Sequence, residues 1–172
     1  VLFNATFTDP GSSVSDAFES GLTVVVTGSV NTAELGTYIL SYNVSDSSKN
    51  AATEVKRTVN VVDQAAPIIT LSGELNQGGA NFMDQEAGVA YEEPGATATD
   101  NVDGPVAVIT TGSVDVNTPG TYILTYNATD SEGNEAAPMT RTVVVADTTA
   151  PVITLVGDAS VELVEGTSYT DA

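Results

Sequence analysis

The sequence predicts an all-β protein built from tandem two-sheet sandwiches. Three observations point there. Ser and Thr together supply 38 of the 172 residues, Val and Ile are frequent, and helix formers are scarce, which is the composition of β-structure. Apolar residues recur at every second position in short runs closed by Gly, Pro, Asn and Asp, and no segment carries a helical period. The chain also repeats itself: residues 7–74 align without a gap on residues 91–158 at an offset of 84, with about 30 of the 68 positions identical.

The repeat sets the domain organisation. Thr27-Gly28-Ser29-Val30 matches Thr111-Gly112-Ser113-Val114, Gly36-Thr37-Tyr38-Ile39-Leu40 matches Gly120-Thr121-Tyr122-Ile123-Leu124, and Ala66-Pro67 matches Ala150-Pro151. Residues 1–63 are expected to form a repeat without its first strand, residues 64–147 a complete repeat, and residues 148–172 the first-strand segment of a further one. The register of the third copy places about six extra residues of the second repeat between Gly73 and Tyr91. The extra stretch around Phe82-Met83 is expected to fold back over a sheet edge, with a partner-binding loop as the alternative.

Within the complete repeat the elements follow in order. Pro67 to Leu71 reads as a first strand opened by an edge proline. Gly95 to Thr99 alternates and ends at the turn Asp100 to Gly104. Val106 to Val114 is one longer β run, and Asn117 to Gly120 is a turn. Thr121 to Thr129 alternates strongly, placing Tyr122, Leu124, Tyr126 and Ala128 on one face. Ser131 to Asn134 is a hairpin turn, and Thr140 to Ala146 is the closing strand. Six or seven short strands in such a length make a β-sandwich. Tyr122, and Tyr38 with it, opens the penultimate strand just after a turn. That is the place of the tyrosine corner of immunoglobulin-like sandwiches, and equally of an ordinary core tyrosine.

Longer motifs carry a resemblance. Asp147-Thr148-Thr149-Ala150-Pro151-Val152-Ile153-Thr154-Leu155, then Tyr91 through Gly104, then Pro119-Gly120-Thr121-Tyr122 and Asp130-Ser131-Glu132-Gly133-Asn134 resemble the tandem immunoglobulin-like repeats of bacterial and archaeal surface proteins, including hyalin-like repeats. The resemblance covers nearly the whole chain. It implies tandem immunoglobulin-like β-sandwiches acting as spacers, stalks or adhesive modules outside the cell. Repeat one departs from it at Asp16-Ala17-Phe18-Glu19-Ser20 and at Asp46-Ser47-Ser48-Lys49-Asn50.

Charge and missing residue types remove most other functions. Lys and Arg number 4 against 23 Asp and Glu, a formal net charge of −19. Nucleic acid and anionic membranes need a basic face to neutralise phosphate, so neither is an expected partner. The chain has no Cys and no His, which excludes thiolate and imidazole chemistry within it. Apolar runs such as Val143-Val144-Val145-Ala146 are far shorter than the ~20 residues of a membrane span. Glu92-Glu93 with Asp100 and Asp103 could be offered as the paired carboxylates of a glycosidase. However, the chain has no Trp, and its Tyr residues fall on the core pattern. An enzyme is therefore not expected.

The acids cluster at turns. In a sandwich of this topology the turn at Asp100–Gly104 and the hairpin at Asp130–Asn134 share a pole with the linker carrying Asp63. Asp63, Asp100, Asp103, Asp130 and Glu132 are the candidate ligands there. Carboxylates without a nearby cation repel one another, and hard oxygen donors suit calcium; solvated turn residues are the competing account. Repeat one keeps Asp16, Glu19 and Asp46, but Lys49 brings a positive charge to the same place. Asn4, Asn43 and Asn127 begin glycosylation sequons.

The expected function is that of an extracellular structural protein. Its repeats would join head to tail as a filament subunit, surface-layer component or adhesin stalk, partnered by copies of itself or by neighbouring repeats of one chain. Residues 148–162 have the sequence of a first strand, so the tail is expected either to complement a neighbouring copy or to continue a longer array. A polysaccharide-binding accessory module of a secreted enzyme or adhesin is the alternative.

Overall fold

The computed structural model describes residues 1–73 and 81–170. It is all β, with ten strands and no helix among these residues. Strands β1 (Val25–Thr27), β2 (Gly36–Asn43) and β3 (Val55–Val61) belong to repeat one and form an antiparallel sheet in the order β1-β2-β3. Seven strands belong to repeat two: β4 (Ile68–Leu71), β5 (Phe82–Glu86), β6 (Ala96–Asp100), β7 (Gly104–Val106), β8 (Val108–Thr111), β9 (Gly120–Ala128) and β10 (Met139–Ala146). They form one sheet in the order β4-β6-β7 and a second in the order β5-β10-β9-β8.

The period-two pattern explains which side chains meet. On β9, Leu124, Tyr126 and Ala128 point inward and are buried, while Thr121 and Ile123 face solvent. Ile69 of β4 and Ala98 of β6 close over them from the other sheet, with Leu71, Ala96, Val106 and Val108 at the margins. Val143 and Val145 of β10 are buried on the same inward phase. The sandwich of repeat two is therefore two sheets packed through alternate residues.

Several local features follow from single residues. The run expected to continue from Val106 to Val114 is split at Ala107: β7 pairs with β6, whereas β8 pairs with β9. An extended segment can leave one sheet and join the facing one at a corner without breaking its alternation, so alternation alone does not reveal the switch. Gly28 and Gly112, second in the matching Thr-Gly-Ser-Val motifs, adopt φ +96° and +97°. A Cβ there would lie 2.3 Å from the carbonyl oxygen of Ile39 and 2.4 Å from that of Ile123, so only glycine fits.

The residues around Phe82-Met83 do cover an edge. Strand β5 runs parallel to β10, Phe82 opposite Thr142 and Glu86 opposite Ala146, and hides that side of the sheet from further pairing. Leu2 forms a parallel bridge with Val62, which the 84-residue offset maps onto Glu86 and Ala146. The edge strand is thus part of the repeat itself. The rest of the extra stretch, residues 74–80, lies outside the described residues.

Both tyrosine corners are present. The Tyr122 hydroxyl donates to the Thr118 carbonyl at 2.7 Å and the Tyr38 hydroxyl to the Glu34 carbonyl at 3.0 Å. Each pins the turn that launches its strand. Residues 150–170 carry no strand and are exposed throughout.

Candidate functional site

The pole of repeat two gathers three aspartates from three separate segments. Asp63 lies in the connection between β3 and β4, Asp100 ends β6, and Asp130 follows β9. Each offers an oxygen, and the three oxygens lie within 4.8 Å of one another. The residues are only 6–8 % exposed.

Turn chemistry fixes each carboxylate. Asp63 Oδ1 accepts the backbone N–H of Ala65 at 3.0 Å. Asp100 Oδ1 accepts those of Val102 and Asp103 at 2.7 and 3.1 Å, the local bonding that makes Asp a turn former. Asp130 Oδ1 accepts the backbone N–H of Asn134 and its Oδ2 the Asn134 side-chain amide, both at 2.7 Å. Burial pushes the Asp130 carboxyl up, but the bonds from Asn134 and from the backbone N–H groups of Gly133 and Glu132 outweigh it. The net result holds this carboxyl below its ordinary range. Asp63 Oδ2 and Asp100 Oδ2 are buried and have no hydrogen-bond donor.

Two of the five expected ligands stand apart from this trio. Asp103 accepts the backbone N–H of Ser131 at 2.7 Å through Oδ2 and faces the Ser131 hydroxyl at 2.9 Å through Oδ1. Glu132 meets the same hydroxyl from the other side. Asp103 thereby clamps the first turn to the hairpin, while Glu132 stays within the hairpin. Repeat one has the same clamp, with Glu19 accepting the backbone N–H of Ser47 at 2.9 Å. Asp16 and Asp46 also keep the turn bonds of Asp100 and Asp130, Asp16 taking Phe18 and Glu19, Asp46 taking Asn50. Lys49 adopts φ +70° where Gly133 has +90°.

A second polar cluster was not read from the sequence. Arg141 on β10 is among the largest fully buried side chains of the described residues. Its guanidinium pairs with Glu93, donates to the Ser72 carbonyl, and lies 5.6 Å from the centre of the Tyr126 ring. Glu93 also accepts from the Tyr126 hydroxyl at 2.6 Å, the Gly95 N–H at 2.7 Å and the Tyr91 hydroxyl. Burial raises the Glu93 carboxyl, and these donors together with the Arg141 charge lower it further than burial raises it. A carboxylate held this way is a structural anion. The signal was available: Arg141 shares the inward phase of Val143 and Val145 and is one of only four cations.

Comparison with known proteins agrees with the architecture. Residues 1–61 and 75–145 match the family described as bacterial surface protein, Ig-like domain. Internalin I of Listeria monocytogenes is 26 % identical over 121 residues, 70 % of this chain and 7 % of that protein. Hyalin of Lytechinus variegatus is 36 % identical over 126 residues, 70 % of this chain and 23 % of its own length. An uncharacterised 81.3 kDa protein of Acholeplasma phage L2 is 28 % identical over 180 residues, 98 % of this chain and 23 % of the phage protein. The chain therefore spans a quarter or less of these relatives. A lipoprotein of Bacteroides thetaiotaomicron is 37 % identical, covers 49 % of this chain and 40 % of its own, and superposes with a TM-score of 0.40. With two matched segments that together take in most of the chain, the protein belongs to the bacterial surface protein Ig-like domain family.

Proposed function

We propose that this chain is a load-bearing stretch of an extracellular array, its Ig-like repeats joined head to tail as a filament subunit, surface-layer component or adhesin stalk. The observation that carries this reading is the repetition of the pole. The first-turn aspartate, the hairpin aspartate and the serine clamp recur in both repeats. A chain that duplicates its junction chemistry is built to be extended by more of the same unit. Membership of a surface-protein family and likeness to Internalin I and Hyalin support a place outside the cell. The acidic surface keeps neighbouring units soluble.

The finer form of this reading concerns residues 150–157, which repeat the Ala66–Gly73 segment that contains β4. As a first strand they would pair with the counterpart of β6 in the next repeat, of the same chain or of another copy. Immunogold electron microscopy of intact source cells tests both levels. Label on elongated surface structures is expected. Label confined to the cell interior would overturn the proposal. In the purified chain, linear polymers that disappear when residues 148–172 are deleted would assign the strand to a neighbouring copy. A monomer unaffected by the deletion would assign it to a longer covalent array.

A further inference from the structure

We infer that Asp63, Asp100 and Asp130 form a divalent-cation site that takes calcium and locks the connection between repeats onto the pole of repeat two. The inference does not depend on where the protein resides. It rests on two separate observations. The first is convergence: three carboxylate oxygens from three segments lie within 4.8 Å of one another. The second is the orphaned pair, Asp63 Oδ2 and Asp100 Oδ2, buried without a donor of any kind.

A buried carboxylate oxygen left unpaired is costly, and three carboxylates side by side compound that cost unless a positive charge joins them. The protein's own cations are engaged elsewhere. Lys56 pairs with Glu54, Arg57 with Asp9 and Arg141 with Glu93, while Lys49 lies in the hairpin of repeat one. The turns hold the Oδ1 atoms of Asp63 and Asp100 on backbone N–H groups, so the free oxygens are oriented before any ligand arrives.

The donor set selects the ion. It contains hard oxygen only, which suits calcium, magnesium or manganese and not the softer metals. Calcium binds oxygen at about 2.3–2.6 Å, so two oxygens across one ion stand up to ~5 Å apart; the spread of 4.8 Å accommodates this. Magnesium prefers to keep several waters in a strict octahedron, and this buried pole suits it poorly. A calcium ion here would join the connection after β3 to the end of β6 and the β9–β10 hairpin. By the repeat offset, Asp147 holds the position of Asp63 for the following junction, and its side chain is exposed.

Equilibrium dialysis of the full chain with ⁴⁵Ca²⁺ tests the site. One ion per chain is expected, with Kd on the order of 10⁻⁴–10⁻³ M as in extracellular calcium modules. Thermal unfolding should move up by roughly 5–15 °C between chelator and about 10 mM calcium. Asp63→Asn keeps the bond to Ala65 and lies outside every strand, and it should weaken binding at least tenfold. Asp147→Asn should leave binding unchanged. Absence of a one-to-one complex with the unaltered chain would overturn the site whatever the variants do. So would diffuse, weak uptake that is equal in the unaltered chain and Asp63→Asn. An equal thermal shift with magnesium would overturn the assignment to calcium.

Discussion

Arg57 and Arg141 occupy the same position in the two repeats and reach for the same kinds of partner. Arg57 pairs with Asp9, donates to the Gly11 carbonyl at 2.9 Å and lies 5.3 Å from the Tyr42 ring centre. Arg141 does the same with Glu93, Gly95 and Tyr126. Yet the Arg141 side chain is 1 % exposed and that of Arg57 is 32 % exposed. The difference is β4. In repeat two this strand and Ser72 behind it close over the arginine. Among the described residues nothing packs over Arg57 in this way, and it borders a groove lined by Val14, Val24, Tyr42, Val44 and Val55. Residues 12–16, the counterparts of β6, are not a strand. In repeat two, β4 thus both pairs with β6 and lies over the Arg141 ion pair.

The largest expected consequence is a difference between two identical substitutions. Arg141→Ala leaves Glu93 without its cation and opens a space under β4, and should cost repeat two about 3–5 kcal/mol. Arg57→Ala removes a pair that water already screens and should cost about 1 kcal/mol. Hydrogen exchange read by mass spectrometry, repeat by repeat, measures both; equal losses would break the comparison. The same cluster sets pH limits on repeat two. Glu93 is held below its ordinary value of about 4.5. Its stabilisation is complete above that pH and is lost as pH falls through the lowered value. Burial, then the bond and charge of Glu93, push the Tyr91 hydroxyl up to about 12. That contribution is complete below pH ~10 and is lost as pH rises toward the raised value. Denaturant titrations across pH should show repeat two weakening at both ends.

A somewhat smaller effect separates Ile69 from Ile153, its equivalent one repeat later. Ile69 is 8 % exposed within the core and Ile153 is 91 % exposed. Ile69→Ala should cost about 2–4 kcal/mol, whereas Ile153→Ala should stay within ~0.5 kcal/mol. If residues 150–157 complement a neighbouring copy, the cost of Ile153→Ala rises with protein concentration, because association then contributes to stability.

Much of this was legible in the sequence for a physical reason: strands with one wet and one dry face must alternate. Leu124, Tyr126, Ala128 and the β9–β10 hairpin followed directly. The repeat made each pattern visible twice, and the convergence of Asp63, Asp100 and Asp130 followed from topology. What stayed hidden depends on three-dimensional choice between equivalents. Ala107 hands the chain from one sheet to the other without disturbing alternation. Asp103 and Glu132 are acids at the same pole, but Ser131 draws both away, and no spacing rule tells a clamp from a ligand. Arg141 was passed over because a charged residue is by default assigned to the surface.

The smallest predicted effect is the one that should not differ between repeats. Tyr38 and Tyr122 each donate to a carbonyl four residues back, at 3.0 and 2.7 Å, and neither bond involves β4. Removing the hydroxyl frees a carbonyl that water can still reach, so Tyr38→Phe and Tyr122→Phe should each cost about 1 kcal/mol. Parity here, beside disparity at Arg57 and Arg141, would localise the influence of the first strand to the groove it covers. If Tyr122→Phe cost several times more than Tyr38→Phe, β4 would be stiffening the whole sandwich as far as the opposite sheet's turns. The repeat would then have to be treated as one cooperative unit rather than a scaffold with a sealed edge.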